Sequence, residues 1–99
     1  MKSTEIVLEK LKNSAPILSE KYHVTQIGVF GSYIRNEQKE NSDLDVLIDL
    51  DPSTSLGLLK FMEMENYLSE AVGVKVDLVM KEGLKPRIGK RILNEVVYL

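Results

Sequence analysis

Apolar and polar positions change period several times along the chain, and each change marks an element. Ile6, Val7 and Leu11 recur at helical spacing, which predicts a first helix starting after Ser3 or Thr4, burying that stripe and carrying Glu5 near its positive end. Asn13-Ser14-Ala15-Pro16 breaks it. Ser14 is placed to cap a second helix whose first turn tolerates Pro16, with Ile17, Leu18 and Tyr22 turned inward. Gln26 to Phe30 has the β-branched and aromatic content of a strand, and Gly31 ends it where backbone can approach a neighbour closely. A short helix from Ser32 to about Asn36 and a polar loop from Glu37 to Ser42 lead to a second strand, Leu44 to Leu50. Val46-Leu47-Ile48 is apolar on both faces, the mark of a central strand covered on both sides.

Asp51-Pro52-Ser53-Thr54-Ser55 is a turn and capping cluster before a long helix, about Leu56 to Ala71, that Gly73 stops. Leu58, Phe61, Met62, Leu68 and Val72 share one face, and Met62 and Met64 read as packing residues. Lys75 to Met80 is a third strand reached through a helix, hence parallel to the second with a right-handed connection. A last helix, about Lys85 to Asn94, carries Ile88 and Ile92. With neither repeat nor linker, the order predicts a single α+β domain over 1–99: a small mixed β-sheet of about three strands flanked by about four helices.

Composition narrows the chemistry. A chain of 99 residues buries roughly 60 to 65% of its unfolded surface, enough for one core. With 43% apolar residues and a net charge of −2 it reads as a folded, cytoplasmic protein, since no run approaches a membrane span and the first residues lack an apolar signal core. The absence of cysteine excludes disulfides, thiolate zinc sites and a cysteine nucleophile. His23, the one histidine, sits in a polar turn and reads as a surface residue rather than part of a triad. The net charge also argues against direct nucleic-acid binding. One local exception is Lys81, Lys85, Arg87, Lys90 and Arg91 around the last helix, either a solvated face or a patch for triphosphate, RNA or an acidic partner.

The chemistry-bearing residues lie at strand ends. Gly31-Ser32 closes the first strand, and eleven residues after Ser32 comes Asp43-Leu44-Asp45 at the start of the second. Residues two apart on a strand share a face, so Asp43 and Asp45 project together, while Leu44, Val46 and Ile48 face the core. Two carboxylates ~5 Å apart at an effective dielectric of ~20 repel by about 3 kcal/mol unless solvent or a cation relieves them. Asp77 is a single acid in an otherwise apolar third strand, costly to bury unpartnered, and in a parallel pairing it aligns with Asp45. Three carboxylates then converge beside the Gly31-Ser32 turn, a layout suited to Mg²⁺ and phosphates and to nucleotidyl transfer. Asp49 and Asp51, beside Pro52, read as turn and capping residues.

At these residues the chain resembles the minimal nucleotidyltransferases of the DNA polymerase β superfamily. The matching pattern is Val29-Phe30-Gly31-Ser32-Tyr33-Ile34-Arg35, then Ser42-Asp43-Leu44-Asp45, then Val76-Asp77-Leu78-Val79, and the likeness runs from the helix at Ile17 to the terminal Leu99. The resemblance implies a palm-like nucleotidyltransferase fold in which Gly31 and Ser32 hold the β and γ phosphates of ATP. It further implies that Asp43 and Asp45 bind two Mg²⁺ ions, that Asp77 holds the catalytic one and helps deprotonate the acceptor, and that Arg35 touches the triphosphate. Tyr33 stands where members often carry Arg, and Asn36 where they often carry Gly. Small members often pair with an all-helical HEPN toxin, so the resemblance implies an antitoxin that assembles with that partner and transfers AMP to a toxin tyrosine. The alternative is a non-catalytic module that occludes the toxin and binds nucleotide without reacting. An Asp-x-Asp glycosyltransferase is excluded by length.

Overall fold

Leu44–Leu50 is the strand around which the molecule is arranged, as the apolar run Val46-Leu47-Ile48 at its centre requires. In the computed structural model, which describes residues 4–99, this strand (β2) lies between β1 (Val24–Phe30) and β3 (Val76–Met80). β1 runs antiparallel and β3 parallel to it, so the sheet is mixed. A fourth strand, β4 (Val97–Tyr98), joins β1 antiparallel at the far edge, giving the order β3-β2-β1-β4 and one strand more than the sequence pattern suggests. Two residues are too short to stand out from the end of a helix by periodicity, although Val96-Val97-Tyr98 has strand composition.

Among the described residues four α-helices complete the fold: α1 (Thr4–Asn13), α2 (Ala15–Tyr22), α3 (Leu58–Val72) and α4 (Pro86–Glu95). The alternative start of α1 at Ser3 lies outside the described residues. Val7, Leu11, Leu18, Tyr22, Met64, Leu68 and Val72 join Val29, Leu44, Val46, Ile48 and Val76 in the core on one face of the sheet. These helical positions follow an i, i+4 stripe. That stripe corrects four expectations: Ile6, Ile17, Leu58 and Met62 lie one or two positions off it, and they are exposed, Leu58 by 73%. Met64, by contrast, is fully buried. Ile88 is also exposed, because α4 buries only Gly89.

Two helix starts are built differently from the sequence expectation. Ser14 precedes α2 as proposed, but its backbone is already helical and its hydroxyl donates to the carbonyl of Lys10 at 3.1 Å, continuing α1 rather than capping α2. α3 begins at Leu58 after an extended Gly57, with no side-chain cap. Asp51 instead accepts from the amide and hydroxyl of Ser53 at 2.9 and 2.7 Å, closing its own turn. Gly73 ends α3 at φ 84°.

β3 forms the other edge of the sheet. Two of its outward amides are taken by α3: Val76 N–H donates to Ser69 Oγ at 3.0 Å and Leu78 N–H to a carboxylate oxygen of Glu65 at 2.9 Å.

Candidate active site

The second face of the sheet carries the candidate chemistry. Strand alternation sends Val46 and Ile48 to the helical core and Asp45 to the opposite side, next to the buried Leu47 of the same face. The parallel register sets Asp45 directly beside Asp77, and the antiparallel register sets Phe30 on its other flank. The Gly31-Ser32 turn therefore begins one residue from Asp45 across the sheet. It is a single 3₁₀ turn, Gly31–Tyr33, rather than a helix reaching Asn36.

Gly31 is required twice. Its φ of +80° lies in the left-handed region, and a Cβ on it would collide with Oδ2 of Asp45. Only a residue without a side chain lets the Asp45 carboxylate settle against the turn. Asn36, where the resembling family often has glycine, also adopts a left-handed φ of 59°, a conformation asparagine tolerates better than most residues.

Burial, then the charge of Asp77, within hydrogen-bonding reach, and then Asp43 push the Asp45 carboxyl from 3.8 up to about 6, against a smaller opposing effect of Arg35. Such a carboxyl is short of positive charge. Among the described residues no three acidic or imidazole side chains form a ready-made metal cage. Asp45 and Asp77 meet each other, while Asp43, just before β2, acts on Asp45 more weakly. Two hard oxygen donors at one level of neighbouring strands, with a third acid beside them, nonetheless fit Mg²⁺, which needs few protein carboxylates when phosphates supply further ligands. Asp77 is exposed, so its presence in β3 is not a buried charge awaiting a partner but an acid open to whatever approaches this face.

Arg35 is exposed and doubly paired, through Nε to Glu37 at 2.7 Å and through Nη1 to Glu95 at 2.6 Å. Glu95, the last residue of α4, also accepts the amide of Gly31 at 2.8 Å through its other oxygen. Arg35 and that amide together hold the Glu95 carboxyl below its ordinary range. Sequence reasoning missed Glu95; the signal available was a lone acid ending a basic helix, at the pole that disfavours it. His23 is exposed, as expected, whereas Asp49, expected in the turn, is a half-buried residue of β2 that pairs with Gln26 and accepts the amide of Leu50 at 3.1 Å. A groove of about 670 Å³ between α2, β1 and the C-terminus contains none of the three acids. With Asp77 exposed and Asp43 and Asp45 half-buried, the acidic site is open to solvent.

Residues 11–99 match the family model of the nucleotidyltransferase domain. The chain is 54% identical over 82 residues to the protein adenylyltransferase MntA of Thermococcus cleftensis, covering 83% of this chain and 81% of that relative. It superposes with a TM-score of 0.80 and 31% identity on a solved structure provisionally described as a minimal nucleotidyltransferase, covering 99% and 97% of the two chains. A complex of tri-AMPylated Shewanella oneidensis HEPN toxin with MNT antitoxin is similar at a TM-score of 0.67. At 18% identity, over 94% of this chain and 70% of that one, this likeness is one of fold.

Proposed function

The chain belongs to the nucleotidyltransferase domain family, and from that premise we propose that it transfers AMP from ATP to a tyrosine hydroxyl of a helical HEPN toxin, acting in the cytoplasm as its antitoxin. The observation that carries this reading is the alignment of Asp45 with Asp77 against a glycine that makes room for the Asp45 carboxylate. The adenylyltransferase name of the Thermococcus relative and the AMPylated toxin in the Shewanella complex support the choice of AMP and of partner.

Asp43, Asp45 and Asp77 are the residues that would hold two Mg²⁺ ions. When bound, the ions lower the pKa of the attacking hydroxyl and neutralise charge on the departing pyrophosphate. The Gly31 amide and Ser32 bind the β and γ phosphates, and Arg35 contacts the triphosphate from the end of the turn. Asp77, exposed at the rim, receives the proton of the tyrosine hydroxyl as its oxygen bonds to the α phosphorus and the bond to pyrophosphate breaks. The open site fits an acceptor brought by another protein.

Incubation with labelled ATP, Mg²⁺ and the purified helical partner tests this. Label on a partner tyrosine that disappears in Asp43→Asn/Asp45→Asn is the expected result. Unlabelled partner, inhibited equally by the wild type and that double variant, would overturn it in favour of neutralisation by occlusion.

A further inference from the structure

Glu95 places a carboxylate where the proposed reading needs phosphate. One of its oxygens accepts the Gly31 amide at 2.8 Å and the other accepts Arg35 Nη1 at 2.6 Å, so a single group spans both donors. Its side chain is 21% exposed, against 42% for Arg35, and it bridges more than sixty residues of sequence. We propose that Glu95 is an internal competitor for the triphosphate: its carboxylate occupies the donors of Gly31 and Arg35, and nucleotide binds there by displacing it.

Three features of α4 favour displacement over a fixed brace. A carboxylate at the last residue of a helix faces the negative pole of the backbone dipoles, so Glu95 gains nothing from its own helix and owes its place to Gly31 and Arg35. The helix itself is lightly attached, with only Gly89 buried and Ile88 and Leu93 exposed by 57% and 42%. Beyond it the chain returns to the sheet through two register pairs, Gly28 with Tyr98 and Val29 with Val97, and one further bond from the Leu99 amide to the carbonyl of Ile27 at 2.9 Å. Elements with few buried contacts open at low free-energy cost.

Exchange at Arg35 also discriminates among ligands. A phosphate brings more negative charge to the guanidinium than the carboxylate it displaces, whereas an uncharged nucleoside leaves Glu95 in place. Glu95 thus selects for phosphorylated nucleotides and keeps the turn closed in their absence.

This inference rests on the proposed nucleotide site, and calorimetric binding of Mg-ATP to the full chain separates the two. Glu95→Gln keeps the size but offers one neutral acceptor oxygen to two donors, so it can hold only one of Gly31 and Arg35, and it is expected to bind Mg-ATP about tenfold more tightly than the wild type. Glu95→Asp, one methylene shorter, is expected to tighten binding by a smaller factor, and adenosine should bind neither variant better than the wild type. Loss of a brace loosens a site, so tightening distinguishes the competitor from a structural clamp. Unchanged or weaker binding by both variants, each shown folded by its melting curve, overturns the inference while leaving the site itself intact. Mg-ATP bound by neither the wild type nor the variants overturns the nucleotide reading and this inference with it.

Discussion

Replacing Asp45 by Asn is expected to make the metal-free protein more stable, although the proposed reaction depends on Asp45. Burial, then Asp77 and then Asp43 raise its carboxyl from 3.8 to about 6. Two units correspond to about 3 kcal/mol between the protonation states, and because Asp45 is only partly buried, solvent screening reduces this to about 1–2 kcal/mol. Between about pH 4 and pH 6 the folded chain keeps a proton at Asp45 that the unfolded chain has lost, so stability falls as pH rises through that window and stays lowered above it. Asn is isosteric, uncharged throughout, and can donate to Asp77 as protonated Asp45 would. Thermal melts of the wild type and Asp45→Asn in chelator should differ by about 5–10 °C at pH 7.5, the variant being higher, and converge below about pH 4. Asp51, Glu63 and Glu95, all held low in the folded chain, lose their stabilisation on acidification, but they cancel in the difference between the two proteins. A variant no more stable than the wild type at pH 7.5, or a difference that does not change with pH, refutes the reasoning.

Millimolar Mg²⁺ should raise the melting temperature of the wild type and leave Asp45→Asn/Asp77→Asn unmoved, a linkage readable by scanning calorimetry. Gly31→Ala combines a strained left-handed φ with a collision against Asp45 and should destabilise by about 2–4 kcal/mol in urea titrations, with loss of Mg-ATP binding. Met64→Ala should cost about 2–5 kcal/mol through a core cavity, whereas Met62→Ala, two residues away and exposed, should stay within about 0.5 kcal/mol. Equal effects at the two methionines would mean that α3 is rotated from the orientation described.

The parts of the fold legible in the sequence are those governed by strong local signals. β2 stands out because three consecutive apolar residues need cover on both faces, and its parallel partner follows from the intervening helix. Gly31, Asp45 and Asp77 stand out as exceptions within apolar runs and Asp43 by its two-residue spacing from Asp45, and the register of one strand pair brings Asp45 beside Asp77. Helix faces were less legible. In α1, Ile6 and Val7 are equally apolar neighbours, and only packing against α3 decides that Val7 is inside. In α3 the same holds for Met62 and Met64. Glu95 escaped because its partners, an amide and a guanidinium sixty or more residues earlier, are set by tertiary structure alone.

The side chains that α3 lends to β3 decide how this protein meets others. An edge strand normally offers a ladder of free amides onto which a second chain can add, and β4 at the opposite edge is only two residues long. With Val76 bonded to Ser69 and Leu78 to Glu65, β3 has no consecutive outward donors to give. Sheet extension by a second copy, or by an extended peptide of another protein, is therefore closed at this edge. Association through this sheet edge is thereby disfavoured, which leaves the helices and the acidic face as the surfaces open to a partner. In amide exchange, Val76 and Leu78 should be protected like interior strand positions despite lying at a sheet boundary.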